Sequence, residues 1–574
     1  MKHQGNAVSA GIAIGEVYHY TPFVPSINKT EIAAKDVSAE LIKYQTALDA
    51  AKTELENIRT KLASSDIEKS KIFAAHINIL FDAAMDEDIR EKIEEDLFSA
   101  DWAIQTVYDK YIKIIGKSKD ELIRERASDM QDVKNRLLRC FYGVAESNLA
   151  NLEKPVIIVA HDLHPSDTAT LDRQNVQAIV TEVGGATSHS AIIARSYEIP
   201  AISGVEKAME LLRPHQTIIV DAVSGMMITD PTPQELQDYK RRKASFATEA
   251  AETKQYLHTK PITSDGTYIE VELNVGSASV QELSGSQFTD GVGLFRTEFL
   301  YMGKDTLPSE EEQLSVYKKV LMEFDHRPVI IRTLDIGGDK QVDSLDLPVE
   351  QNPFLGNRAL RLCFDNVDIF KTQLRACLRA SVYGNLWLMF PMVGSMDDIA
   401  RAKAILQEVK DELDAHSIAY SNEMKVGIMI EIPSIALLAD LAAQEVDFAS
   451  IGTNDLTQYT TAVDRMNPAV SKYYQPYSPA MFRLIRYVVE QFNRYGKPIS
   501  VCGEMGGDQL AAAVLIGMGM RRLSMGLASI AQIKKLIAHI TLPQAQMLAD
   551  TVCQLKTANE TEQFLKDKIT ALFQ

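Results

Sequence analysis

The chain has 574 residues, of which 46% are hydrophobic and 24% charged, so we expect a globular protein of two to four domains. Its formal net charge of −18 argues against a nucleic-acid-binding protein, which would carry a basic face, and suits a basic protein partner. Because the sequence has no apolar run that could insert into a membrane, no signal-peptide core and no pairing pattern among its five cysteines, we expect a cytoplasmic protein without structural zinc.

The first part of the chain changes from strands to helices. Residues 1–21 combine short apolar runs with glycine turns, which predict strands. Apolar residues then recur at three- and four-residue spacing, with almost no glycine or proline, and this pattern predicts a helical bundle over 22–144. Within it, residues 82–97 carry eight carboxylates. Such a run is typical of a solvated helix face, and the alternative is a docking surface for a basic partner.

Strand-like runs return at Lys154 and continue to about residue 230. They indicate that the helical bundle is inserted in one α/β domain, made of residues 1–21 and 145–230. A polar helix without a convincing apolar stripe follows over 231–260. We expect this helix to link the α/β domain to the rest of the chain and to allow relative motion.

His189 follows a strand-like run and a glycine pair, in the sequence GGATSHSAIIAR. This places it in the first turn of a helix, where free N–H groups and the helix dipole favour a bound anion. A neutral imidazole there could attack phosphorus, and the alternative is a surface histidine after a turn. Thr168 lies at another predicted strand-to-helix junction, where its hydroxyl could cap the helix or hold the orientation of the histidine.

Over residues 261–574 the sequence alternates strand-like and helix-like segments, with eight strand candidates. This number of strands in some 300 residues predicts a (β/α)8 barrel, and a doubly wound open sheet is the alternative. The predicted fold class is therefore multidomain α/β, with a C-terminal barrel and an α/β domain that contains an inserted helical bundle.

Polar or charged residues stand where the apolar part of most barrel strands ends. In chain order the strand-end residues are Asn274, Arg296, Arg332, Asp335, Met392, Glu431, Asn454, Asp455, Cys502 and Glu504, and Lys340, Arg358 and Arg465 follow in loops. Because the carboxyl ends of barrel strands form the active-site face, we expect these residues to surround one site. Helix capping or solvation alone does not explain charged residues at so many strand ends.

The residue types at these strand ends suit phosphoryl chemistry. Arginine forks bind carboxylates and phosphates, so Arg296, Arg332 and Arg465 predict a compact substrate with several negative charges. Glu431 and Asp455 offer hard oxygen ligands, which suit Mg²⁺ when substrate oxygens and water complete its coordination. Such an ion would neutralise charge on a phosphoryl group during transfer.

Cys502 is the unusual member of this set. A thiol among these cations could donate a proton to carbon or act as a nucleophile. The alternative is a cysteine that only packs in the interior.

Six segments of the sequence resemble the motifs of a known family. They are GGATSHSAIIAR, GVGLFRTEFLYM, IIRTLDIGGDK, NPFLGNRALR, SIGTNDLTQYTTAVDR and VCGEMGGD. In order, spacing and total length they are similar to the phosphoenolpyruvate-utilising phosphotransferases, and most similar to the Enzyme I family of the bacterial sugar phosphotransferase system. The resemblance covers essentially the whole chain, from GIAIGEV near the N-terminus onward.

This resemblance implies a reaction. Phosphoenolpyruvate would bind in the barrel with Mg²⁺ and phosphorylate His189 on Nε2. The cysteine that matches Cys502 would protonate the pyruvate enolate at carbon, and phospho-His189 would pass its phosphoryl group to a histidine of the phosphocarrier protein HPr. The helical bundle would dock HPr, and family members are homodimers through the barrel.

The resemblance also implies roles for individual residues. The residues that match the family's phosphoenolpyruvate-binding positions are Arg296, Arg332, Arg465, Asn454 and Asp455, with Lys340 and Arg358 near the substrate. Glu431 and Asp455 match the metal ligands. Related dikinases and synthases would also need a large ATP-binding domain, for which the chain has no room. A regulatory protein without enzymatic activity would not need the complete set of substrate- and metal-binding residues.

Overall fold

The computed structural model describes two compact units, Met1–Glu249 and Ala250–Gln574, and each is considered by itself. The residues that it describes are 1–21, 27–63, 67–116, 121–144, 149, 152, 154–163, 171, 175–184, 191, 194–195, 197, 199–302, 306–337, 345 and 350–573. Within these residues, none of the helices has the length and apolar character needed to cross a membrane.

The first unit contains a mixed sheet of eight strands in the order β1-β8-β7-β3-β4-β5-β6-β2. The strands are β1 (Lys2–Gln4), β2 (Asn6–Ser9), β3 (Ile12–Tyr20), β4 (Val156–Ala160), β5 (Val176–Thr181), β6 (Ala201–Ser203), β7 (Thr217–Asp221) and β8 (Met226–Thr229). β3 pairs in parallel with β4, so the N-terminal strands and those after residue 154 form one sheet. This confirms that the helical bundle is an insertion in an α/β fold.

The inserted bundle has its own hydrophobic core. Its helices are Val37–Ala63, Ile67–Leu80, Ala83–Glu94, Ala100–Gly116 and Glu121–Phe141. Tyr44, Phe73 and Tyr108 are fully buried between them, as the predicted apolar spacing requires. This unit also contains the 3₁₀ turn Ala34–Asp36 and the helix Ala208–Leu211. The helix Pro233–Gln255, which has no buried residue, begins in this unit and ends after its last residue, Glu249. The predicted domain boundaries stay predictions: 1–21 with 145–230 for the α/β domain, 22–144 for the bundle, 231–260 for the linking helix and 261–574 for the barrel.

The second unit is a closed barrel of eight parallel strands. They are β9 (Glu270–Val275), β10 (Val292–Arg296), β11 (Val329–Arg332), β12 (Leu386–Phe390), β13 (Lys425–Ile430), β14 (Phe448–Ile451), β15 (Ile499–Val501) and β16 (Arg522–Met525). β16 pairs with β9 and closes the barrel, which rules out the open sheet. The strands are almost continuously apolar because both of their faces are buried.

Helices surround the barrel and cover the outer face of its strands. The α-helices described are Val280–Leu283, Glu310–Glu323, Leu360–Asp365, Val367–Ala380, Met396–Ala415, Pro433–Leu437, Ala439–Glu445, Thr453–Thr461, Pro479–Arg494, Gln509–Gly517, Leu527–His539, Leu542–Val552 and Ala558–Leu572. Ser309 and Ser395 begin two of the longer helices with reciprocal capping boxes, which satisfy N–H groups of the first turn. The sequence therefore encodes the start of these helices locally.

Candidate active site at the barrel mouth

A cavity of about 440 Å³ opens at the carboxyl ends of the barrel strands. The predicted site residues that line it are Arg296, Arg332, Asp335, Glu431, Asn454, Asp455, Arg465, Cys502 and Glu504. Arg358 lies directly beside this cavity through its contacts with two of these residues. His189, Thr168 and Lys340 lie outside the described residues, while Gly184, before the predicted histidine turn, has a φ of +105° that suits glycine.

These side chains lie close together because they stand at or just after the carboxyl ends of neighbouring strands. Arg296 and Arg332 are the last residues of neighbouring strands and are paired in register. Glu431 directly follows β13, and Cys502 directly follows β15. Asp455 lies in the first turn of Thr453–Thr461, where the helix dipole stabilises a carboxylate.

Arg332 is held between two buried carboxylates. Its Nη2 lies 2.7 Å from Glu298 Oε1 and its Nη1 lies 2.9 Å from Asp335 Oδ2. The O–H of Thr297 donates to the carbonyl of Arg332 over 2.9 Å, so the backbone at this strand end is also fixed. Burial opposes the charge of Arg332, but Asp335 and Glu298 outweigh it and raise its pKa far above the ordinary value. The guanidinium is therefore permanently charged and rigidly oriented.

Arginines and carboxylates continue to alternate across the cavity mouth, at the carboxyl ends of the strands. Arg358 Nη2 lies 2.8 Å from Asp335 Oδ1, and its Nη1 lies 3.5 Å from Asp455 Oδ1. Arg465 Nη1 approaches the same Asp455 oxygen at 3.3 Å. We call the six residues of this chain of ion pairs the mouth network: Glu298, Arg332, Asp335, Arg358, Asp455 and Arg465.

Glu431 lies at the centre of the cavity wall and is almost fully buried. The N–H of Met392 donates to Glu431 Oε1 over 2.6 Å, and Met392 adopts a left-handed φ of +51° to do so. A Cβ at Gly452 would lie 2.9 Å from Glu431 Oε2, so only glycine leaves this oxygen room. Burial, Asp455 and Asp335 together raise the pKa of Glu431 to about 8, against the opposing effect of the nearby arginines.

These residues fit a divalent cation that a substrate helps to bind. No group of three or more His, Cys, Asp or Glu side chains in the described part of the chain could hold a metal by itself. Mg²⁺, however, is commonly held by one or two carboxylates together with phosphate oxygens and water. Asp455 Oδ1 is buried and accepts no hydrogen bond from a described group, and burial together with two nearby carboxylates disfavours the ionised form of Glu431. A cation beside both would stabilise their ionised forms.

Cys502 lies at the junction of the cavity and the apolar barrel interior. It packs with Leu294 and Met429, and its thiol donates to the Ile451 carbonyl over 3.7 Å. Burial raises the pKa of Cys502 to about 11, although Ser450 and Arg332 act in the opposite direction. The thiol is therefore protonated at neutral pH and borders the cavity, which makes it a candidate proton donor as well as a packed side chain.

The loop after Cys502 depends on a close backbone approach. A Cβ at Gly503 would lie 2.0 Å from Thr453 Oγ1, so glycine is required there. The N–H of Glu504 donates to Asn454 Oδ1 over 3.0 Å, and the amide of Asn274 donates to the Cys502 carbonyl over 3.1 Å. Asn454 is thus joined to the loop that carries the thiol.

Sequence reasoning missed three residues at this site. Glu298 is buried against Arg332, while Phe354 and Tyr459 contact Arg358. All three lie inside the quoted motifs, but their role depends on pairing between distant segments. For Glu298 the available signal was an acidic residue two positions after the end of an apolar strand.

Comparisons with known proteins agree with the fold. Three models of the PEP-utilising enzymes match: the N-terminal region over residues 4–126, the mobile domain over 152–225 and the PEP-binding domain over 250–542. The last of these contains every described site residue.

Relatives called phosphoenolpyruvate-protein phosphotransferase match over nearly the whole chain. The relative from Bacillus sp. (strain S) is 42% identical over 98% of this chain and 97% of its own length. That from Listeria innocua is 43% identical over 99% of both chains, and that from Bacillus subtilis is 41% identical over 98% of this chain and 99% of its own. The chain belongs to the PEP-utilising enzymes, in the family of the phosphoenolpyruvate-protein phosphotransferases, and is therefore an enzyme.

Proposed function

We propose that this enzyme transfers the phosphoryl group of phosphoenolpyruvate, with Mg²⁺, first to its own His189 and then to a histidine of the phosphocarrier HPr, as the first step of sugar uptake. The observation that carries this proposal is the cavity in which three arginines, four acidic side chains and a protonated thiol converge. A phosphorylated, unsaturated carboxylic acid needs each of these groups. The names of the relatives support the same substrate.

Arginines provide the binding charge in this proposal. Arg296 is exposed at the cavity wall, and Arg332 and Arg465 are held by their carboxylate partners. Together they can grip the phosphate and the carboxylate of phosphoenolpyruvate, and Asn454 adds a polar contact beside them. Arg358 and Lys340 add positive charge near the substrate.

The chemical step exchanges one bond to phosphorus for another. The bridging P–O bond of phosphoenolpyruvate breaks and a P–N bond forms at Nε2 of His189, which leaves pyruvate enolate. Cys502 then gives its proton to the enolate carbon, and the thiolate regains a proton from solvent. Bound at Glu431 and Asp455, Mg²⁺ would neutralise charge on the transferring group. Thr168 would orient the imidazole of His189.

Surface charge in the helical bundle supports a basic partner such as HPr. Part of the acidic run is neutralised internally, since Asp86 pairs with Arg90 at 2.8 Å and Asp88 with Lys110 at 2.6 Å. Glu87, Glu91 and Glu94, however, are exposed on the helix Ala83–Glu94 while its apolar residues face the core. These carboxylates can steer and dock a positively charged protein.

The remaining parts of the proposal concern assembly and location. Leu437 and Leu441 are exposed on consecutive barrel helices, and such apolar side chains support a homodimer through the barrel. None of the five cysteines forms a disulfide, which supports a cytoplasmic enzyme.

Incubation with ³²P-phosphoenolpyruvate and Mg²⁺ tests the proposed function. We expect an acid-labile, base-stable label on the protein that is lost in His189→Ala and on chelation of Mg²⁺, and that is transferred to added HPr. An intact protein that takes no label would contradict the proposal. Labelling from ATP instead of phosphoenolpyruvate would favour a dikinase activity.

A further inference from the structure

Phe354 lies in the same sequence motif as Arg358, in the 3₁₀ turn Pro353–Leu355. The guanidinium carbon of Arg358 is 5.9 Å from the centre of the Phe354 ring, and that of Arg465 is 5.7 Å from it. Both distances lie within the ~6 Å over which the face of an aromatic ring attracts a cation. One half-buried ring therefore contacts two cations of the mouth network.

The two arginines share one carboxylate oxygen, although Arg358 also pairs with Asp335 at 2.8 Å. Arg358 and Arg465 both approach Oδ1 of Asp455, at 3.5 and 3.3 Å. Neither distance is that of a tight, direct hydrogen bond, and their positive charges repel each other. The negative face of the Phe354 ring reduces this repulsion without an added charge that would compete with an anionic substrate.

Tyr459 fixes the position of this ring. Its hydroxyl donates to the carbonyl of Phe354 over 2.6 Å and accepts from Arg358 Nη1 over 3.4 Å. Tyr459 also belongs to the helix Thr453–Thr461, which carries Asp455. The aromatic pair thus connects the turn that bears Phe354, the Arg358 guanidinium and the helix that bears Asp455.

The backbone next to Arg358 is strained, which agrees with a fixed position of the Arg358 side chain. Ala359 has a φ of +52°, which an alanine rarely adopts, and its N–H donates to the carbonyl of Ile336 over 2.8 Å. Residues that hold strained conformations are common at sites where a side chain must be aimed.

We propose that Phe354 and Tyr459 are positioning residues that hold Arg358 and Arg465 in the geometry that binds phosphoenolpyruvate. This inference rests on the proposed function, in which these arginines contact the substrate. It predicts that loss of the aromatic face weakens substrate binding more than it slows the chemical step, because neither residue contacts the reacting atoms.

Four variants of the full-length enzyme test this inference. Phe354→Leu keeps apolar volume but loses the aromatic face, and Phe354→Trp keeps the face. A cavity of about 320 Å³ beside Phe354 has room for the larger ring. Tyr459→Phe removes only the hydroxyl. Leu355→Ala is the matched control, since Leu355 lies in the same turn but is 66% exposed.

Steady-state rates of phosphoryl transfer through His189 to excess HPr, at varied phosphoenolpyruvate, separate binding from chemistry. We expect Phe354→Leu to raise KM about tenfold and Tyr459→Phe to raise it about threefold, with kcat and the melting temperature nearly unchanged. Phe354→Trp should restore the KM of the unmodified enzyme, and Leu355→Ala should match that enzyme.

Each other result counts against the inference. If the unmodified enzyme is labelled but Phe354→Leu has a normal KM, or if Trp fails to restore it, the positioning role is wrong while the proposed function stands. A parallel loss of kcat and melting temperature in Phe354→Leu would show a structural role only. An unmodified enzyme without label contradicts the proposed function, and the inference with it.

Discussion

The two ends of the barrel each bury arginine against carboxylates, and the cavity of about 440 Å³ opens at the carboxyl end. At the carboxyl end, the mouth network borders the cavity with arginines that have room for a further anion. Near the amino end, Arg522 pairs with Glu272 in a direct contact and with Glu270 at 3.3 Å. The Trp387 ring covers Arg522 at 4.6 Å and Lys425 at 4.2 Å.

We call this second group the lower cluster: Glu270, Glu272, Trp387, Lys425 and Arg522. Its arginine has its carboxylate partners on the adjacent strand and an aromatic cover, and it lines none of the cavities described above. Buried arginine thus occurs at both ends of the barrel, and access to a cavity at the strand carboxyl ends distinguishes the mouth network.

Replacement of Arg332 should give the largest effect on activity. In Arg332→Met we expect the initial rate of His189 labelling from phosphoenolpyruvate to fall about a hundred- to a thousandfold, because a preorganised charge beside the transferring group is lost. Rates are measured with ³²P-phosphoenolpyruvate, with folding checked by circular dichroism. A loss of less than fivefold in a folded variant would contradict a substrate-binding role for Arg332.

The matching change in the lower cluster should act on stability instead. Arg522→Met leaves Glu272 buried without its partner, so the free energy of unfolding should fall by about 3–5 kcal/mol. Urea unfolding measures this loss. The KM for phosphoenolpyruvate should stay within twofold of normal below the transition, and a large KM increase would mean that the two ends are coupled.

The barrel and most of the residues at its mouth could be predicted because their signals lie within short segments of the sequence. Most strands are short apolar runs that end at or just before a polar residue, as at Arg296 and Glu431, and these signals need no knowledge of distant segments. The pairing of Glu298 with Arg332 and the contact of Phe354 with two arginines join segments far apart in the chain. No sequence pattern reports such distances.

Backbone strain was equally invisible in the sequence. Met392 and Ala359 adopt positive φ although neither is glycine, so no composition signal marks them. Both conformations exist because surrounding contacts impose them, such as the hydrogen bond from Met392 N–H to Glu431. His189, Thr168 and Lys340 lie outside the described residues, so their roles stay predictions from the motifs.

Replacement of Cys502 tests whether the barrel mouth transfers a proton as well as binding phosphoenolpyruvate. In Cys502→Ala we expect pyruvate release to slow about a hundredfold while His189 labelling in a single turnover persists, because protonation follows P–O cleavage. Lactate dehydrogenase coupling measures pyruvate, and label measures phosphoryl transfer. Equal losses in both assays would indicate that the thiol only packs the interior.

The pH dependence of pyruvate formation by the intact enzyme is a second test of Cys502 as the proton donor. Since burial raises the pKa of Cys502 to about 11, the donor form is complete at neutral pH and is lost only as pH rises toward that value. Pyruvate formation should therefore show no loss from thiol ionisation between about pH 6 and 9. A decline centred near the ordinary thiol pKa, absent in Cys502→Ala, would contradict the buried, protonated thiol.

The smallest expected effect concerns the aromatic cover of the lower cluster. Trp387→Leu removes a ring face from Arg522 and Lys425, and we expect the free energy of unfolding to fall by about 1–2 kcal/mol with no change in KM. Phe354 lies beside two arginines at the mouth, at the longer distances of 5.9 and 5.7 Å, and there the aromatic face should affect KM. Urea unfolding followed by circular dichroism, together with labelling kinetics, distinguishes the two cases. If both leucine variants change stability alone, the aromatic rings have the same role at both ends, and the distinction between the mouth network and the lower cluster lies only in their arginines.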